Sequence, residues 1–255
     1  MLRAALIVYA CMLYVLAAGF FFREWWATDL WPFSYTGAMS YVFVSSILAA
    51  AATSILYCAA ARDWRAMVGV GIDAVVITLP VAVIALSSGK KSMRTFGILA
   101  ALTAAAGLAA ALWFRRYAFR DPRPTPVVVR VSFALFVLAL WTFGGAMAAG
   151  STRVLPWEVT AEVARVYGWI FLGASSYFLY GLIVPKWSNA AGQLLAFLAY
   201  DLVLAWPFVV YFRHVPTERF VNHVVYSAAV AYSALVAIWF CFIDPSTRLV
   251  GKPRT

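Results

Sequence analysis

Two carboxylates in this sequence lie where carboxylates are costly. Of ten Asp and Glu residues in 255, all but Asp73 and Asp201 fall in or beside polar breaks. A charged aspartate at the bilayer centre costs at least about 2.5–3.5 kcal/mol. Each of these two must therefore face a protein interior, meet a partner or carry a proton. A proline follows each in the same apolar run, Pro80 and Pro207. A mid-helix proline frees a backbone carbonyl and bends the helix, often beside a cavity. With the hydroxyls of Tyr200, Tyr226, Ser227, Tyr232 and Ser233, the acids suit a proton or ion site. They equally suit a polar network in which a neutral acid is hydrogen-bonded across a helix interface. At 1.5 Å per residue Asp73 lies about 12 Å past Arg65, and Asp201 about 20 Å past Ser188, so their depths differ.

Other chemistry finds little footing. The two histidines, His214 and His223, flank one loop, and neither has Cys, Asp or Glu at metal-ligand spacing. There is no strand to carry a Gly-rich phosphate loop. Cys11, Cys58 and Cys241 are an odd count in apolar runs, which reads as buried thiols. No metal, no other cofactor and no enzymatic activity are expected.

The elements that hold these residues are set by composition. The chain is 65% apolar and 12% charged, with a mean hydropathy of +0.86. Soluble domains run about 45–50% apolar and about 25% charged, so this chain cannot cover itself in water. About 20 apolar residues cross a bilayer as a helix, and eight such stretches occur at 4–22, 37–60, 66–88, 94–114, 127–149, 161–184, 188–212 and 221–243. They are continuous and lack the period-two alternation of barrel strands. The expected fold is all-α, a polytopic membrane bundle of eight transmembrane helices. The pairs Gly69/Gly71, Gly144/Gly145 and Gly168/Gly173 read as close helix approaches.

Lysine and arginine in loops set orientation. With the N-terminus inside, twelve of the 20 basic residues lie on the cytoplasmic side and eight on the other, so both termini are expected to be cytoplasmic. The expected partners are the lipid bilayer and, at the basic loops, anionic headgroups. A homo-oligomer is left open, and nucleic acid is not expected despite a net charge of +10. Met1-Leu2-Arg3, the apolar run and Ala17-Ala18-Gly19 resemble a secretory signal. The length of the run and the bulky Phe20-Phe21-Phe22 after the small residues favour a retained helix. Trp25, Trp26, Trp31, Phe33 and Tyr35 in the next loop read as an interfacial aromatic belt.

Several short segments resemble the microbial (type I) rhodopsins. Tyr35-Thr36-Gly37 leading into Ser40-Tyr41-Val42-Phe43-Val44-Ser45 and ending at Arg62-Asp63-Trp64 is similar to their first helix. Phe136-Val137-Leu138 through Gly144-Gly145-Ala146-Met147-Ala148-Ala149 resembles their fourth, and Trp206-Pro207 with Val210-Tyr211-Phe212 their sixth. Asn222 and Tyr226 sit where the seventh begins. The resemblance implies a seven-helix ring with the first span outside it. The domains are then 1–34 (helix and aromatic loop), 35–245 (opsin-like bundle) and 246–255 (basic tail).

The departures remove the family's chemistry. Its retinal-binding lysine falls on Ala234, its last-helix carboxylate on Val230 and the first tryptophan of its sixth helix on Val203. Arg94 is followed by Gly97 and Ile98, where the family has its counter-ion acid and a tryptophan. All four lysines lie outside the apolar runs. Covalent retinal is not expected, and the resemblance implies a non-photoactive binding or interaction module. The alternative is a proton, cation or small-solute transporter or channel using Asp73 and Asp201. An internal repeat supports that alternative. Spans two to four and six to eight each carry an Asp followed by Pro. Each set ends in Trp-Phe and then Asp-Pro: Trp113-Phe114 and Asp121-Pro122, Trp239-Phe240 and Asp244-Pro245.

Overall fold

Eight apolar runs become eight helices because lipid offers no hydrogen-bond partner for backbone N–H and C=O groups, so each run must satisfy its own. The structure, a computed structural model, describes residues 1–33 and 37–249. Tyr35, Thr36 and the basic residues of the tail beyond 249 lie outside the described residues. In chain order the helices are α1 (Leu2–Phe22), α2 (Trp25–Thr28), α3 (Ala38–Ala61), α4 (Met67–Ser87), α5 (Lys91–Phe114), α6 (Val127–Ala148), α7 (Ala161–Ile183), α8 (Trp187–Tyr211) and α9 (Phe220–Ile238). A π-helical turn, Trp239–Ile243, extends α9. All but the one-turn α2 are long and apolar enough to cross a membrane. The all-α bundle of eight spans read from composition is the fold, and no β-strand occurs among the described residues.

Numbering the spans one to eight (α1, then α3 to α9) exposes their pairing. The hairpins one–two, three–four, five–six and seven–eight pack along their lengths, and span two packs on seven as span three does on six. Lighter contacts join two with three and six with seven. Adding four to every span number maps this whole set onto itself. Each half has four spans, so both enter the membrane from the same face. A twofold axis along the membrane normal generates this set of pairings. Closing α3 to α9 in chain order would instead set α9 against α3, a place taken here by α8. The span α1 packs on α3 as α6 packs on α7. Tyr14 and Thr53 share a hydroxyl bond of 2.7 Å, and Ser45 donates to the Ala17 carbonyl at 2.7 Å.

Glycine makes two of the hairpins possible. Helices in lipid gain nothing from apolar burial against each other and associate by close contact. A Cβ on Gly71 of α4 would stand 2.5 Å from the Gly107 carbonyl oxygen of α5. One on Gly168 of α7 would collide with the Ala148 backbone of α6. Gly145, in contrast, meets nothing and faces open space.

The link between the halves ties down the face that carries the chain start. The Arg120 N–H donates to Asp63 at 3.2 Å, and its guanidinium to the Ala61 carbonyl. The Trp187 N–H donates to Arg123 at 2.7 Å and the Thr125 N–H to Pro185 at 3.0 Å. Arg123 grips Asp121 through two bonds of 2.7 and 2.5 Å and donates to the Ser246 carbonyl. Loops 62–66, 184–186 and 244–249 are thereby held by one segment.

Two sequence expectations need correction. Trp25 is 74% exposed and Trp26 also faces outward, as a belt requires, but Phe33 is 4% exposed. Trp31 and Phe33 turn inward because Phe96 offers both a ring face, at 6.0 and 5.6 Å between centroids. Cys58 and Cys241 are buried, whereas Cys11 is exposed on the outer face of α1. That face has no helix packed on it, so an apolar run alone did not imply burial.

Candidate intramembrane solute site

A cavity of about 440 Å³ lies within the second half, among α6, α7, α8 and α9. Phe136, Leu140 and Phe143 line it from α6 at spacings of four and three residues, so one stripe of that helix faces it. Phe197, Tyr200 and Asp201 come from α8. Asn222, Val225, Tyr226, Val230 and Ser233 form a matching stripe on α9.

The polar end is built from two pairs. Asp201, 2% exposed, accepts a hydrogen bond from Ser233 through Oδ2, and its buried Oδ1 has no partner. The hydroxyls of Tyr200 and Tyr226 bond to each other. Behind them Phe43 of α3 meets the Tyr200 ring edge-on, at 6.3 Å and 85°. A buried carboxyl oxygen without a partner is costly, and this one borders a cavity large enough to hold one.

Loop 149–160 roofs the cavity and is held by cationic and amide donors. Arg219 Nη1 donates to the carbonyls of Thr152, Leu155 and Trp157 at 3.0, 2.8 and 3.1 Å. Asn222 Nδ2 donates to Arg153 and Val154 at 2.6 and 3.1 Å. Trp157 Nε1 reaches across to Ser40 of α3 at 3.0 Å. His223 is buried, its Nε2–H donating to the Phe208 carbonyl at 3.0 Å among the rings of Phe208, Tyr211 and Phe212, and its Nδ1 has no partner.

The side of the cavity is open between α6 and α9. Phe143 and Val225 are 46% and 53% exposed on this flank. Toward the other face a 2.7 Å bond between Ser132 and Tyr232 joins the two helices. A second hollow of about 580 Å³ lies on the loop face among α1, α3 and α8. Its lining carries Trp206, Pro207, Arg23, Glu158 and His214 at a rim, with no buried unpartnered polar atom.

Of the residues singled out in the sequence, the structure gathers Asp201, Tyr200, Tyr226, Ser233 and Val230 on one cavity. It does not gather the rest. Ser227 is outside the lining, and Tyr232 is spent on Ser132. Ala234 packs in the apolar cluster that holds Trp187 and Phe178. Trp206 is 71% exposed. Arg94 is exposed, and Gly97 is set against Leu86. Asp73 faces α7, where Gly173 makes room for it: a Cβ there would stand 2.8 Å from Oδ1, itself without a partner.

The two acids occupy the third helix of each half, yet a phase difference separates them. Asp73 is nine residues past Trp64 and Asp201 fourteen past Trp187. Five residues turn a helix by about 140° and advance it about 7.5 Å, so one acid looks toward α7 and the other toward α9. Sequence reasoning missed Phe136, Leu140, Phe143, Arg219 and the roofing role of Asn222. The stripes on α6 and α9 were visible as three-and-four spacing, but nothing in the sequence said that those faces meet. Comparison with protein-family models, with curated proteins and with solved structures gave no match to this chain.

Proposed function

We propose that this integral membrane protein is a carrier for a small organic solute, with the α6–α9 cavity as its binding site. The observation that carries the reading is the repeated helix pairing, in which a shift of four spans returns the same set of neighbours. Parallel repeats about a membrane-normal axis recur in carriers, where one half rocks against the other around a site within the membrane. Further support comes from chemistry repeated in sequence. Each half bears its acid and its proline on its third helix. Phe114 stacks on Trp64 at 6.0 Å and 15° in the first half, and Phe240 shares a cluster with Trp187 in the second.

The opsin resemblance favours a different reading, a seven-helix binding module with α1 as an addition. The packing of α1 on α3, matching that of α6 on α7, weighs against treating α1 as an addition. A carrier exposes its site to both faces in turn. With Cys11, Cys58 and Cys241 replaced, Val230→Cys is expected to react with a membrane-impermeant thiol reagent from either face of a sealed vesicle. Reaction from one face only, at any solute load, contradicts the carrier reading.

A further inference from the structure

We propose that the solute is a lipid-phase amphiphile: an apolar body bearing a single amine or hydroxyl donor group that binds Asp201. This rests on the carrier reading for its transport role, while the binding site stands on its own geometry. Four observations converge on that class. The cavity walls are aromatic and aliphatic over most of their extent, from Phe136, Leu140, Phe143, Phe197 and Val225. Its volume of about 440 Å³ falls in the usual range for drug-sized ligands, about 300–1,000 Å³. The side opening between α6 and α9 is bordered by exposed apolar residues, so entry from the bilayer crosses no polar barrier. The inner end presents one acceptor, Asp201 Oδ1, buried and without a partner.

Apart from Arg153, an exposed residue of the roof loop that also lines the cavity, the other polar side chains of the lining are engaged with one another or with the roof. Ser233 donates to Oδ2, the Tyr200 and Tyr226 hydroxyls hold each other, and Asn222 is spent on the loop carbonyls. One donor group on the ligand therefore satisfies the buried end of the site at Asp201 Oδ1. A sugar or amino acid, with several polar groups, would leave most of them facing phenyl rings, and desolvation of unpaired polar groups is costly.

Aminoanthracene, an apolar tricycle with one amine, is a suitable probe. Its fluorescence is titrated with the full-length protein in lipid nanodiscs, with empty nanodiscs subtracted. Saturable binding is expected, about tenfold weaker for Asp201→Asn and lost in Val230→Trp, which fills the cavity. Asp73→Asn is expected to bind as wild type. Anthracene, which lacks the donor, is expected to bind about tenfold more weakly to the wild type and equally to wild type and Asp201→Asn. Melting curves establish that each variant is folded, and Ser233→Ala supplies a milder variant with a smaller loss of affinity. The proposal is overturned if no saturable binding occurs, if Val230→Trp binds normally, or if anthracene and aminoanthracene bind alike. Saturable binding together with one-face labelling of Val230→Cys leaves this site and removes the carrier. Two-face labelling without binding does the reverse.

Discussion

The two halves share one pattern of helix pairing and differ in what fills it. In the first half, Phe33 and Trp31 from the loop after α1 are packed on Phe96, near the start of α5. In the second, the corresponding loop is suspended by Arg219 and Asn222, near the start of α9, through five donations to its own carbonyls. The aromatic loop turns its rings into its half. The hydrogen-bonded loop roofs its half and leaves a hollow beneath. Helix pairing is thus one property of this chain and a solute site another, and the second depends on a few residues in loops and first turns.

The largest effect should come from removing an inward-turned ring of the first half. Phe33→Ala removes a buried ring, for which a loss of about 3–5 kcal/mol is usual, and thermal melting of the purified protein measures it. A change below about 1 kcal/mol would mean that Phe33 does not pack the first half and would erase the contrast. Arg219→Ala leaves three roof carbonyls without their donor. Hydrogen bonds to charged groups contribute about 1.5–3 kcal/mol, so a loss of about 2–3 kcal/mol is expected, with faster proteolysis of loop 149–160. Resistance equal to wild type would show that the roof holds itself.

Asp201→Asn sharpens the contrast differently. The amide oxygen still accepts from Ser233, so the melting temperature should move little, by the equivalent of about 1 kcal/mol or less, while aminoanthracene affinity falls. A large loss of stability with unchanged affinity would make Asp201 structural and the second half no more functional than the first.

The smallest expected effect concerns the Asp-Pro step that ends each half. Asp121 is held by Arg123, whereas Asp244 accepts from the Ser246 N–H at 2.9 Å and its hydroxyl at 2.8 Å. Those two bonds, the backbone one first, hold the Asp244 carboxyl below the usual carboxylate range. A lowered folded value means that the 244–247 turn is supported above about pH 4, near the unfolded value. That support is lost as pH falls through the lowered folded value. Hydrogen exchange at the Ser246 amide should rise on acidification relative to the base rate, and Asp244→Asn should abolish the rise. A rise that persists in Asp244→Asn would assign the transition to another group.

The eight spans were legible because a bilayer demands long apolar runs and little else. Their ends fall within a few residues of the expected ones: Asp63-Trp64, Pro126 and Pro185-Lys186 interrupt helices by simple backbone chemistry. The acids were legible as anomalies, and Asp201 shares one cavity with Tyr200, Tyr226 and Ser233, while Ser227 and Tyr232 lie outside its lining. In sequence Asp73 and Asp201 both precede a proline and differ only in depth along their helices. What separates them is helical phase relative to Trp64 and Trp187, which acquires meaning only once the neighbours of each helix are known. The inward turn of Trp31 and Phe33 was hidden for a similar reason. Aromatic residues at a span end suit a headgroup belt equally well until Phe96 is placed beside them.

The pairing itself is the claim on which the rest depends, and thiol cross-linking tests it directly. In protein lacking its native cysteines, a short bifunctional thiol reagent should join Tyr57→Cys to Gly192→Cys, across α3 and α8. It should equally join Gly69→Cys to Tyr177→Cys, across α4 and α7, since a Cβ added to either glycine would stand 3.0 Å or less from the opposing tyrosine ring. Both links should form within one chain. Absence of both links in variants that melt like the wild type would contradict the account.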